Sequence, residues 1–171
     1  SLPGCAPSCC AASAEVMARF LALNGEGPAP LAGPWQMALG EAATPDQTAG
    51  FDWIPATVPG TAAQALVSNG MSDPDLLSSL HCRTLWFRCP VPAGGERWLT
   101  CEGLGGACTL WLGRDRLGDV DNAVLAHRFA IKNTDETVLY FQFHPLGSTP
   151  GLAMRRQRWR PHLVAAPALR Q

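Results

Sequence analysis

Two hydrophobic periodicities follow one another along the chain. Over residues 13–23 the apolar side chains Val16, Met17, Phe20 and Leu21 recur at helical spacing, which predicts a short amphipathic helix capped by Ser13 and stopped at Asn24-Gly25. A linker rich in Gly, Pro and Ala over residues 25–34 leads to a first strand at 35–39. The run Ile54-Pro55-Ala56-Thr57-Val58-Pro59-Gly60 cannot be a central strand, because two prolines remove ladder donors. It feeds a second short helix with Thr61 as cap, running through Ala65 and Leu66 to Asn69, with Gly70 in the left-handed stop. Past Asp73-Pro74 the pattern becomes extended. Strands are expected at 84–91, 97–101, 108–112, 127–131 and 138–143, punctuated by Ala93-Gly94-Gly95, Gly103 to Gly106, Asp119 to Asn122 and Asn133-Thr134-Asp135.

Short strands with no helices between them point to an all-β antiparallel β-sandwich rather than a parallel sheet. With one or two edge strands added, the expected architecture is a jelly roll of about eight strands with one or two short helices. The chain divides into an extension at 1–33, carrying the first helix and linker, and the sandwich at 34–171. At 171 residues the length suits a single core of this kind.

Composition narrows the partners. Thirteen basic against fourteen acidic residues leave no basic stripe for phosphates, so nucleic acid is excluded as a partner. No apolar run reaches the roughly twenty residues that cross a bilayer, so no membrane is expected. Seven cysteines occur without a paired C-x-x-C, which argues against a metal site. They read instead as buried free thiols in apolar stretches (Cys82, Cys89, Cys101, Cys108), which favours a cytoplasmic over a periplasmic or secreted location. Ser1-Leu2-Pro3 reads as a trimmed start rather than a signal peptide, and the end at Gln171 as a cut through a longer chain.

Three stretches carry a resemblance. They are Ile54 to Thr61 followed by Leu66, Gly70, Asp73 and Pro74; then Leu85-Trp86-Phe87-Arg88; then Cys101-Glu102-Gly103-Leu104 with Leu110-Trp111-Leu112-Gly113, Leu117-Gly118 and Asp121-Asn122. In this order and spacing they resemble the amino-terminal, galactose-binding-like domain of glycoside hydrolase family 2, especially its β-mannosidase branch. Met154 to Trp159 resembles that family's Arg-Lys-x-x-(Tyr/Trp) stretch, although the Gly-Trp-Asp-Trp-Gly-Pro run expected next is absent. Gly105-Gly106 and Gly113-Arg114 stand where the family has Asp-Thr and Asn-Gly.

The resemblance implies a non-catalytic, sugar-binding accessory domain that packs on a catalytic barrel and helps shape its rim, with a β-linked glycoside as the partner of the whole enzyme. Asp121, Asn122, Arg155, Arg156, Trp159 and Trp53 are the rim or carbohydrate candidates. The loop with Asp119, Asp121 and Asn122 reads equally as an Asx-rich turn. Trp53 and Trp159 read either as docking surface or as a platform for the C–H face of a sugar. Trp86, Trp98 and Trp111 are expected in the core, and the four histidines as structural. A freestanding carbohydrate-binding module or lectin-like protein is the alternative, since one fold hosts both roles. No catalytic residue and no cofactor are expected: the resemblance implies that retaining glycosidases of this kind need two carboxylates about 5 to 5.5 Å apart, carried on a barrel of about 250 residues. The family's acid/base sits in an Asn-Glu pair, and none occurs here. High Ala, Gly, Pro and Arg with little Lys fits a GC-rich bacterial genome.

Overall fold

The computed structural model describes residues 18–22, 29–31, 33–122 and 125–145. They form two antiparallel sheets. Strands β1 (Ala18–Ala22), β2 (Ala29–Pro30), β6 (Gly95–Glu102) and β9 (Ala126–Asn133) make one, in the order β2-β1-β6-β9. The other runs β4-β3-β5-β10-β7-β8, from β3 (Trp35–Leu39), β4 (Ile54–Ala56), β5 (Leu85–Val91), β7 (Cys108–Leu112), β8 (Asp115–Val120) and β10 (Thr137–Phe143). Helices α1 (Ala62–Ser68) and α2 (Pro74–Ser79) lie between β4 and β5 in sequence. The fold class is the expected β-sandwich, with more strands than the eight anticipated.

Alternation explains the core. On β5 the residues Phe87, Cys89 and Val91 point inward and meet Leu139 and Phe141 of β10, Leu110 of β7, and Leu99, Cys101 and Ile131 from the opposite sheet. Leu66 of α1 joins this cluster at 1% exposure. The helix is capped as its sequence predicts: the Thr61 hydroxyl accepts from Gln64 N at 3.1 Å, and Gly70 adopts φ 81° beyond the C-terminus.

Four expectations need correction. The described part of the amino-terminal helix, Ala18–Ala22, is strand β1, paired residue for residue with β6 (Phe20↔Leu99, Leu21↔Trp98). An isolated helix of that length is marginal in water, whereas pairing satisfies the open side of β6, so tertiary context overrides the local period. Ser13 to Met17 lie outside the described residues. The linker supplies Ala29–Pro30 as β2, at a sheet edge where proline costs no ladder bond. Asp119 lies within β8 rather than in a loop; this charged edge strand, Asp-Arg-Leu-Gly-Asp-Val, carries too little apolar alternation to be read as a strand. The last is the expectation that Gly60 permits an otherwise forbidden turn: it has no positive φ, and a Cβ there would stand 2.3 Å from the Thr57 carbonyl oxygen, so the residue is needed for close approach rather than for an unusual dihedral.

Of the cysteines, Cys89, Cys101 and Cys108 are buried as expected, while Cys82 sits exposed in a 3-10 turn; Cys5, Cys9 and Cys10 lie outside the described residues. Burial pushes the Cys89 thiol up to about 11 and Cys101 up to about 12, and it raises Cys108 as well. Because the thiolate is the reactive form, iodoacetamide at pH 8 should leave these three unmodified in the native chain and label them after unfolding, as peptide mass spectrometry would read. Labelling at native rates equal to those of Cys82 would contradict the burial. Leu110→Ala, at a fully buried position, should lower unfolding stability by about 2–5 kcal/mol, and Thr61→Ala by about 1 kcal/mol, both measured in urea.

Candidate functional site

The same alternation that builds the core builds a second, outward face on the six-stranded sheet. Directly paired residues share a face, so Gln36 (β3), Arg88 (β5), Tyr140 (β10) and Trp111 (β7) stand in one row across four strands. The next row holds Ala38, Trp86, Gln142, Thr109 and Asp119.

Part of this face is covered by the connection from β3 to β4. Its Ala42 carbonyl accepts from Gln142 Nε2 at 2.8 Å, and the Glu41 carboxylate accepts from Thr84 Oγ1 at 2.8 Å. A Cβ at Gly40 in this connection would stand 2.4 Å from the Phe51 ring, so any larger residue there would have to displace that ring. Trp53 ends it, held by its indole N–H to the Thr48 carbonyl at 3.3 Å. The ring of Trp53 meets Tyr140 edge-on at 6.3 Å between centroids, and Tyr140 meets Trp86 in the same manner at 6.4 Å. The Arg88 guanidinium lies 4.0 Å above the Trp53 ring centre and donates through Nε to Gln36 Oε1 at 2.8 Å.

A polar chain lies beside these aromatics. The Thr109 hydroxyl donates to Asp119 Oδ1 at 2.8 Å and lies 2.9 Å from His144 Nε2. An ionised carboxylate only accepts, so the hydroxyl proton goes to Asp119 and His144 must be the Nε2–H donor to Thr109. That order excludes a threonine nucleophile activated by histidine, which would require the reverse proton direction. Arg116 completes the chain through an ion pair with the other Asp119 oxygen. The Thr109 hydroxyl holds the Asp119 carboxyl below its usual range, helped by Arg116 and His144 and opposed by partial burial.

The sequence candidates separate in space. Trp53 belongs to the aromatic group over β5 and β10. Asp121 and Asn122 are exposed just beyond β8, two strands from β10 and at the end of the sheet where His144 also leaves it. Asn122 Oδ1 accepts from Leu125 N at 3.3 Å and its carbonyl lies 3.2 Å from His127 Nε2, so the Asn122 side chain is engaged by the chain that leads into β9. Arg155, Arg156 and Trp159 lie outside the described residues. Trp86 is fully buried, yet on the outward face and outside the sandwich core; Trp111 is half-buried and Trp98 is 38% exposed, so the core assignment of the last two is corrected. The overlooked residues were Gln36, Arg88, Tyr140 and Thr109. Parity was the available signal: Trp86 is two residues from Arg88, and a charged residue marks the face that looks away from a core.

No protein-family model matches this sequence, and no curated protein matches it. Its fold, however, matches solved glycosidases. Part of the β-D-mannosidase from Dictyoglomus thermophilum superposes with a TM-score of 0.56 at 18% identity, covering 74% of this chain and 16% of that one. A family 2 β-galacturonidase from Eisenbergiella tayi, in complex with galacturonate, gives 0.49 at 15% identity over 74% of this chain and 19% of the other. A β-glucuronidase from Faecalibacterium prausnitzii gives 0.48 at 16% identity, covering 76% of this chain and 22% of that enzyme. The chain thus spans about a fifth or less of these enzymes' length. What the likeness shows is the fold: an antiparallel β-sandwich that superposes on one part of the Dictyoglomus β-D-mannosidase.

A carboxyl held low in the fold contributes stability above its unfolded value, and that contribution is lost as pH falls through the folded value. Wild-type stability should therefore decline more steeply on acidification below about pH 4 than that of Asp119→Asn, in urea titrations at stepped pH. Parallel acid limbs would show that the Thr109–Asp119 bond carries no linkage.

Proposed function

We propose that this chain is a non-catalytic accessory domain of a β-mannosidase-like family 2 glycoside hydrolase, packing on a catalytic barrel and contributing to the recognition of a β-linked glycoside. The observation that carries this reading is the fold match to a small part of a β-D-mannosidase, in a chain whose motifs resemble that family's first domain in order and spacing. In this role the exposed Asp121-Asn122 turn is a rim element at the end of the sandwich, with Arg155, Arg156 and Trp159 as further rim candidates and Trp53 as part of an interdomain surface.

The state of Trp53 favours this over a freestanding carbohydrate-binding module. A sugar platform needs an open aromatic face, and Arg88 occupies one face of Trp53 while its edge is fixed to Thr48. Hydrolysis by a family 2 enzyme needs a pair of carboxylates on a barrel of about 250 residues, which a chain of 171 residues is too short to form. The purified chain should therefore release no nitrophenol from nitrophenyl β-mannoside, β-glucuronide or β-galactoside. Turnover that co-elutes with the folded protein would refute the accessory reading. In a full-length enzyme carrying this domain, Asp121→Ala and Asn122→Ala should raise KM with little change in kcat, since rim contacts bind substrate and transition state alike.

A further inference from the structure

The row Gln36, Arg88, Tyr140 has more donors than the protein uses. Arg88 is half-buried, and none of the ion pairs among the described residues involves it; those pairs use Arg114, Arg116 and Lys132. Its Nε is committed to Gln36 and its face to Trp53, which leaves both Nη atoms without a hydrogen-bond partner among the described residues. Because Gln36 accepts through Oε1, its Nε2 is a donor, and it too has no partner there. The Tyr140 hydroxyl, directly across from Arg88 in register, is the third such group. Cross-strand pairing brings all three to one side of adjacent strands, about 4.8 Å apart from strand to strand.

We propose that Gln36, Arg88 and Tyr140 form a carboxylate-binding site on the outward face of the six-stranded sheet, with Trp53 and Trp111 as its aromatic walls. A guanidinium presents its Nη edge as a planar fork that matches two carboxylate oxygens, and the neighbouring amide and phenol can each donate one further bond. Stacking on Trp53 and the bond to Gln36 hold the fork in place before a ligand arrives, which lowers the ordering cost of binding. The flanking rings reduce local water and strengthen the charge interaction. A carboxylate can arrive on an acidic sugar or on an aspartate or glutamate side chain of another polypeptide surface; the recognition chemistry is shared. This site stands whether or not the accessory-domain reading holds, because it rests on the unused donors alone.

Titrating the whole chain with sodium acetate, glucuronate, N-acetylaspartate amide and neutral glucose, at constant ionic strength, tests the site by tryptophan fluorescence and indole N–H chemical shifts. The carboxylates should give saturable shifts in the millimolar range and glucose none. Tightest binding by glucuronate assigns the sugar source, and tightest binding by the aspartate probe assigns the polypeptide source. Arg88→Gln should weaken binding by at least about tenfold, with Arg88→Lys intermediate. Tyr140→Phe, which keeps the ring packing, should weaken it severalfold and decides the matter if Arg88→Gln does not fold. Absence of saturable binding by all three carboxylates, equal binding of glucose and glucuronate, or unchanged affinity in folded Arg88 and Tyr140 variants would each overturn the proposal.

Discussion

The antiparallel register of β5 with β10 is the constraint on which the rest of the structure depends. These are the central strands of the six-stranded sheet; their inward face packs in the core, and the connection from β3 to β4 covers part of their outward face. Phe87↔Phe141 and Cys89↔Leu139 turn inward to the sandwich core, while Trp86↔Gln142 and Arg88↔Tyr140 turn outward. Moving one strand by a single residue would exchange the two sets, placing a guanidinium in the core and phenylalanines under a polar strap. Core and outward site are thus two readings of one pairing.

The outward face is costly to build, which bears on its purpose. The indole N–H groups of Trp86 and Trp111 are buried without acceptors among the described residues. An unmet buried donor costs on the order of 1–3 kcal/mol, and a sandwich needs only one apolar face per sheet to fold. A solvated face of threonine and lysine would serve stability better. Concentrating Trp53, Trp86, Trp111, Tyr140 and Arg88 on one surface fits a face that meets something other than water, as both an accessory domain and a carboxylate site require.

How much of this was legible in the sequence depended on which force set each element. Strands 35–39 and 108–112 were read to the residue because alternation and flanking turn residues agree there. Thr61 and Gly70 were legible because capping is local chemistry. Ala18–Ala22 was misread because its partner β6 lies more than seventy residues away in sequence, and pairing at that distance leaves no local mark. Of the site residues, Trp53 is legible in the sequence as an aromatic in a loop, whereas its partner Arg88 is legible only as part of a motif. The pairing of Gln36 with Arg88, and of Arg88 with Tyr140, is a property of register that one chain read in order does not display.

The register can be measured directly. Cross-strand nuclear Overhauser contacts in the isotopically labelled chain should link the backbone of Arg88 to that of Tyr140, and Tyr140 to Trp111, with Phe87 linked to Phe141 on the opposite face. Contacts shifted by one residue, joining Arg88 to Phe141 or to Leu139, would contradict the account, since neither the core nor the outward row could then exist as described.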